Sequence, residues 1–320
     1  MKKIFIVFLI AAIILLGGCT QSGTKQEQEH RTAAPDITMD IGAESAVTGT
    51  SQPAAGQTEE KGDIEEVQFG RLENVFGFAG ESGKYLMTLQ TENTDSLANP
   101  QEFNTAVGNN GQTVGIRFVR RQEANSQDTL RQTANNFDNM AGYVYEAQNG
   151  KFIPNKTYLL SKDSIINEAV LIKLKSTKDT ESEVEYYKKV DPETIKRIEA
   201  LKGRKIVEDD LISETGENAK ICLFTFERRE DDMLASIAYI KDDKVAFKDY
   251  PAKYDEMSTW RVDAGDRPGL FEVLFLADSD EGLLLGLTWA GPEGENAFVL
   301  KEVNGVFQET DLKRGRYWAP

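Results

Sequence analysis

A mainly β, antiparallel, hairpin-rich fold is what this sequence predicts, on three observations. Short alternating or continuous apolar runs recur along it: Lys84–Leu89, Thr113–Val119, Glu168–Leu174, Ala235–Ile240 and Leu270–Leu276. Tight-turn signals fall between such runs at Asn149-Gly150 and Asn304-Gly305, where a type I′ turn needs φ > 0 at both central residues, and at Asp242-Asp243. The turn-linked runs predict antiparallel meanders rather than βαβ units, interrupted by two helices. Sandwich, barrel and propeller closures all satisfy this pattern.

The elements begin with an export signal. Met1-Lys2-Lys3 is a positive start, and Ile4 to Leu16 is a run of 13 apolar residues, where a spanning helix needs about 20. Leu16-Gly17-Gly18-Cys19 follows, and it resembles the lipobox of bacterial lipoproteins. The resemblance covers the first nineteen residues only. It implies cleavage between Gly18 and Cys19 by signal peptidase II, diacylglycerol on the Cys19 thiol, and attachment to the cell membrane on its extracytoplasmic side. Two acyl chains, at roughly 0.8 kcal/mol per buried CH₂, hold a protein on a bilayer stably.

Residues 20–63 hold no aromatic side chain and are dominated by Ser, Thr, Gln, Glu, Ala and Gly. Such a segment buries too little apolar surface to offset the entropy of ordering it, so residues 19–63 read as the lipidated cysteine and a flexible acidic tether. Within it, Ile37-Thr-Met-Asp-Ile41 alternates like a docking strand, although three apolar residues are a thin signal.

Charge and residue usage bound the chemistry. The net charge is −16; loss of Lys2 and Lys3 with the signal leaves −18, of which eight acidic and three basic tether residues carry −5 and the body −13. Nucleic acid is an unsuitable partner for such a surface. The single histidine, His30, lies in the tether, so the body lacks the imidazole of Ser-His-Asp and Cys-His enzymes and the usual zinc ligands. Cys222 sits in the apolar run Ile221–Phe226 and reads as a buried, inert thiol.

In the body, a β-rich half is expected over 64–190, a helix over 191–203 and a second β-rich half over 204–320. Asp191-Pro192-Glu193 supplies an N-cap, Pro at N1 and early negative charge; Ile195, Ile198 and Leu201 form the apolar stripe, and Gly203 stops the helix. A second helix is read over Ser126–Met140 from Leu130, Ala134, Phe137 and Ala141, against a poor Asn, Thr and Gln content. Phe118-Val-Arg-Arg-Gln122 recurs as Phe226-Glu-Arg-Arg-Glu230, each followed by aromatic strand, turn and strand (Tyr143–Phe152, Tyr239–Phe247), and Phe298–Phe307 repeats the latter part. Two similar β halves would produce this, as would any hairpin-rich chain.

Several candidate sites compete with plainer readings. Trp260, Trp289, Tyr317 and Trp318 would form a binding surface for sugar or peptide if exposed together; otherwise they are core. Asp278-Ser-Asp280-Glu-Gly282 opens like a calcium loop but lacks a third ligand at Gly282, which favours an acidic turn. Arg120-Arg121 and Arg228-Arg229 are anion-binding pairs or solvated strand ends. No catalytic residue, metal ligand or cofactor motif stands out. The expected function is a lipoprotein displaying a non-catalytic binding or assembly domain for a wall polymer or envelope protein. The alternative is a carboxylate-dependent glycan hydrolase, which needs two Asp or Glu facing one cleft about 5–10 Å apart.

Overall fold

The computed structural model describes residues 75–89, 99–162, 166–179, 187–256, 259–260 and 268–319. Cys19, His30, the 37–41 segment and the expected tether lie outside them. Among the described residues no helix is long and apolar enough to cross a membrane.

Two β systems make up the body. Strands β1 (Phe76–Ala79), β2 (Tyr85–Thr88), β3 (Thr105–Gly108), β4 (Gln112–Gln122), β5 (Gly142–Ala147) and β6 (Thr157–Ser161) close a barrel in the order β1-β2-β5-β4-β3-β6. Then come β7 (Leu174–Ser176), α1 (Pro192–Lys202), β8 (Ile206–Thr215), β9 (Lys220–Phe226), β10 (Asp232–Lys241), β11 (Lys244–Lys253), β12 (Phe271–Ser279), β13 (Gly282–Ala290), β14 (Gly294–Val303) and β15 (Val306–Tyr317). These form a nine-stranded sheet ordered β12-β13-β14-β15-β11-β10-β9-β8-β7. Pairing is antiparallel throughout except at the single parallel bridge Phe247–Val306, which joins two four-stranded meanders. The helix thus lies in the chain between the barrel and all but the first strand of the larger sheet.

Side-chain alternation sorts the core into layers. Ala79, Leu86, Phe103, Tyr145, Tyr158 and Leu160 fill the barrel. Their neighbours Phe76, Phe78, Met87 and Leu159 point outward, onto Leu274, Phe275, Ala277, Val299 and Leu312 of the larger sheet. The other face of that sheet packs its two meanders against each other through Ile221, Leu223, Ile237, Phe271, Val273, Leu285, Leu287 and Leu300. The outer side of β8–β10 is covered by the helix, through Ile198 on Cys222, Phe224 and Phe226. Gly286 permits a close approach, since a Cβ there would lie 2.4 Å from the Phe275 ring.

The helix matches its sequence signals. The Asp191 carboxylate accepts from the Thr194 N–H at 2.9 Å, and Gly203 ends the helix in the left-handed region at φ 61°. The stripe is narrower than expected: Ile198 is fully buried, Ile195 partly, and Leu201 is 58 % exposed. Hairpins form at Asp242-Asp243 and Asn304-Gly305. Cys222 is buried, and desolvation pushes its thiol far above the usual range.

Four expectations are corrected. Asn149-Gly150 is not a two-residue hairpin, because β5 pairs with β2 and β4 and never with β6; instead the Asn149 Oδ1 accepts the Gly115 N–H at 2.5 Å. Glu168–Leu174 is not a strand. It crosses from barrel to sheet with Val170 and Leu171 in one core and Ile172 and Leu174 in the other, so its apolar run reflects two burials rather than a pleat. Its central part touches β12 through the Leu171–Ala277 bridge and the Ile172 N–H to Leu276 O bond, and its end, β7, pairs with β8. Residues 170–176 therefore seal both edges of the rolled sheet. Ser126–Met140 contains only a 3₁₀ turn at Ala134–Asn139, with Leu130 at φ 62° and 79 % exposed. Finally, Phe118–Gln122 lies wholly within β4, whereas Phe226 ends β9 and residues 227–230 leave the sheet, so the two segments play different parts.

One hairpin was missed. Asn109-Asn110-Gly111 joins β3 to β4 with φ of 46°, 63° and 87°. This barrel turn enters the larger sheet: the Asn110 and Gly111 N–H groups donate to Val273 O at 2.9 Å and Leu274 O at 2.7 Å, where β12 bulges.

Candidate functional site

A cleft among the described residues has a volume of about 620 Å³, inside the roughly 300–1,000 Å³ range of small-ligand sites. It is built by the connection between β4 and β5, the turn before β6 and the end of β15. Its walls carry Thr129, Arg131, Thr133, Asn135, Asn136 and Asn139 from the first, Pro154 and Asn155 from the second, Trp318 from the third, and Glu81 from the β1–β2 turn.

The same side chains that defeat the expected helix build the wall. Asn125 Oδ1 accepts the Gln127 N–H at 2.8 Å, Asp128 Oδ1 the Leu130 N–H at 2.8 Å, and Asn136 Oδ1 the Thr129 N–H at 3.3 Å. Buried Asn136 donates to Asp128 at 2.7 Å and to Arg131 O at 2.9 Å. Side-chain bonds to nearby backbone outcompete the i→i−4 ladder for such residues. Phe137 anchors the segment, edge-on to Phe78 at 5.8 Å and close over Gly80.

Beneath the cleft lies Arg316, 3 % exposed. Its guanidinium donates to Gln132 O at 2.7 Å, Asn155 O at 2.7 Å, Asn155 Oδ1 at 2.5 Å and Glu295 Oε1 at 3.3 Å. It also lies 4.5 Å from the Phe78 ring centre and 5.4 Å from that of Trp318. Desolvation lowers its pKa and Glu295 opposes the shift; a fork of charge-assisted bonds is the usual setting of a buried arginine. Asn155, at φ 62°, passes the order on by accepting the Ala134 N–H at 3.0 Å. Trp318 is fixed by its indole N–H on Pro292 O at 3.1 Å and its backbone N–H on Glu293 O at 2.8 Å. A held indole and several amide and hydroxyl groups thus line one space.

The four aromatic candidates do not assemble. Trp318 lines the cleft with exposed Tyr317 beside it in the chain. Trp289 stacks on Phe271 at 4.7 Å and meets Tyr250 edge-on at 5.2 Å, while Trp260 donates to Tyr250 O at 3.2 Å. That second group is packed, with the Tyr250 hydroxyl and Trp289 indole N–H buried and unpartnered. Asp278–Gly282 forms the β12–β13 turn, the Ser279 hydroxyl donating to Gly282 O at 3.0 Å. The arginine pairs separate: Arg120 donates to Gln122, Arg121 pairs with Glu123, Arg228 lies over Tyr254, and Arg229 donates to Gly203 O.

Carboxylates are held as ion pairs. Burial pushes the Glu272 carboxyl up, but Lys156 and Lys178 outweigh it and the net shift is downward. Among the described residues, every carboxylate with a displaced pKa is displaced downward. No three His, Cys, Asp or Glu side chains among them converge as a metal cage. Comparison with known families, characterised proteins and solved structures finds no match to this chain.

The sequence named Trp318 but missed the cleft. Its signal was the density of Asn and Thr over 125–139, which lowered the helix expectation without being read as a wall.

Proposed function

We propose that this protein is a non-catalytic binding module held outside the cell membrane by lipid on Cys19, and that its cleft receives a segment of wall glycan. The observation that carries the reading is the Trp318 indole fixed beside the amides and hydroxyls of Thr129, Thr133, Asn135 and Asn155 in one open cleft. An apolar ring face with convergent hydrogen-bonding groups suits the alternating C–H faces and hydroxyls of a sugar. The hydrolytic alternative needs a carboxyl held protonated at neutral pH, and the carboxylates displaced among the described residues move the other way.

Two measurements test the reading. Full-length protein is incubated with purified wall, scoring retained protein and released sugar; retention without product is expected, with Trp318→Ala lowering retention. Released product that vanishes in Glu81→Gln would establish catalysis and overturn it. For the anchor, cells expressing wild type and Cys19→Ala are grown with labelled palmitate. Label in the wild type alone is expected, and equal label in both rejects lipidation.

A further inference from the structure

Arg131 stands apart in the cleft wall. The chain carries 53 acidic against 37 basic residues, and many of its cations meet carboxylates: Arg117 pairs with Glu146, Arg121 with Glu123 and Lys202 with Asp249. Arg316, directly below, is saturated. Arg131 is a half-buried residue of the cleft lining, yet its guanidinium makes no hydrogen bond or ion pair with any described residue, not even with Glu81 of the same cleft. Meanwhile its backbone is clamped, since its carbonyl accepts the Asn136 amide and the Thr133 N–H, both at 2.9 Å. A planar donor fork left open on a fixed stretch of backbone is suited to an anion with two coplanar oxygens.

Resting on the glycan reading above, we infer that the cleft selects a sugar bearing a single carboxylate, the ring lying on Trp318 and the carboxylate on the Arg131 fork. The acidic body restricts the ligand further. A surface of −13 repels an extended polyanion, whereas one carboxylate delivered to a local cation avoids that repulsion. Glu81 is then placed to accept from a hydroxyl rather than to meet the anion.

A matched pair of disaccharides tests the claim: N-acetylglucosaminyl-N-acetylmuramic acid and diacetylchitobiose share both rings and differ by the lactyl ether that carries the carboxylate. Titration calorimetry on full-length protein should show the acidic sugar binding roughly tenfold tighter or better, the scale of one charge-assisted contact. Arg131→Gln should abolish this preference; Trp318→Ala should weaken binding of both sugars. An unchanged unfolding midpoint in Arg131→Gln confirms that the fold is intact. Equal binding of the two sugars, or a preference surviving Arg131→Gln, overturns the inference and leaves the glycan module standing. Tighter binding of a sugar-free wall peptide overturns it in favour of a peptide ligand. Binding of neither sugar with intact wall retention removes this inference alone, while loss of wall retention as well removes both proposals.

Discussion

The Ser213 hydroxyl of β8 donates to Asn110 Oδ1 in the barrel's β3–β4 turn at 2.5 Å, across 103 residues of chain. Ser213 is fully buried and stands at a β8 bulge, while the backbone of the same turn is bonded to the β12 bulge. The barrel is therefore keyed into the larger sheet by one turn that touches both its margins. Ser213→Ala and Asn110→Ala should each lower unfolding free energy by about 1 kcal/mol. The double variant should lose less than the sum of the two, as measured by urea denaturation. Full additivity would show that the bond contributes nothing to the join.

The helix cap predicts a pH dependence. The Lys220 ammonium, 2.5 Å from the Asp191 carboxylate, and the Thr194 N–H hold that carboxyl well below the usual range. A depressed folded pKa contributes stability above the unfolded value and loses it as pH falls through the folded one. Asp191→Ala should cost about 1 kcal/mol at neutral pH. The gap between wild type and variant should stay constant down to roughly pH 4, the ordinary carboxylate value, and shrink below it. A gap that widened on acidification would refute the assignment.

Burial separates two helix residues that look equivalent by spacing. Ile198→Ala empties a fully buried position against Cys222 and Phe224 and should destabilise by about 2–5 kcal/mol. Leu201→Ala, at an exposed position, should stay within about 0.5 kcal/mol. Thermal unfolding of both variants checks the contrast.

The parts of the fold legible in the sequence are those whose causes are local. Asp191-Pro192 and Gly203 fix both ends of α1, and Asn304-Gly305 fixes a hairpin, because the deciding bonds lie within a few residues. Asn149-Gly150 carries the same turn signal, yet the strand it would return to, β6, sits on the far side of the barrel. That partner choice is a matter of closure, which dipeptides do not encode. The cleft follows the same rule. Its wall bonds, such as Leu130 N–H to Asp128, are short-range, but the bond that brings the wall to Trp318, Arg316 to Asn155, spans 161 residues. Trp260 and Trp289 were indistinguishable from Trp318 by composition; only their packing around Tyr250 separates them.

The seam formed by residues 170–176 also orders the events of folding. All pairings of the barrel lie within Phe76–Ser161, so that module assembles from early-made chain, whereas Leu171 waits for Ala277, more than 100 residues later. Contacts of such sequence separation form late and slowly, since the intervening loop entropy is lost before the contact rewards it. Until β12 arrives, the seam's strand edge stays unpaired in the nascent protein, a surface on which a second chain can add. The closing bridge thus removes one exposed strand edge, and it does so only after more than 100 further residues have been made.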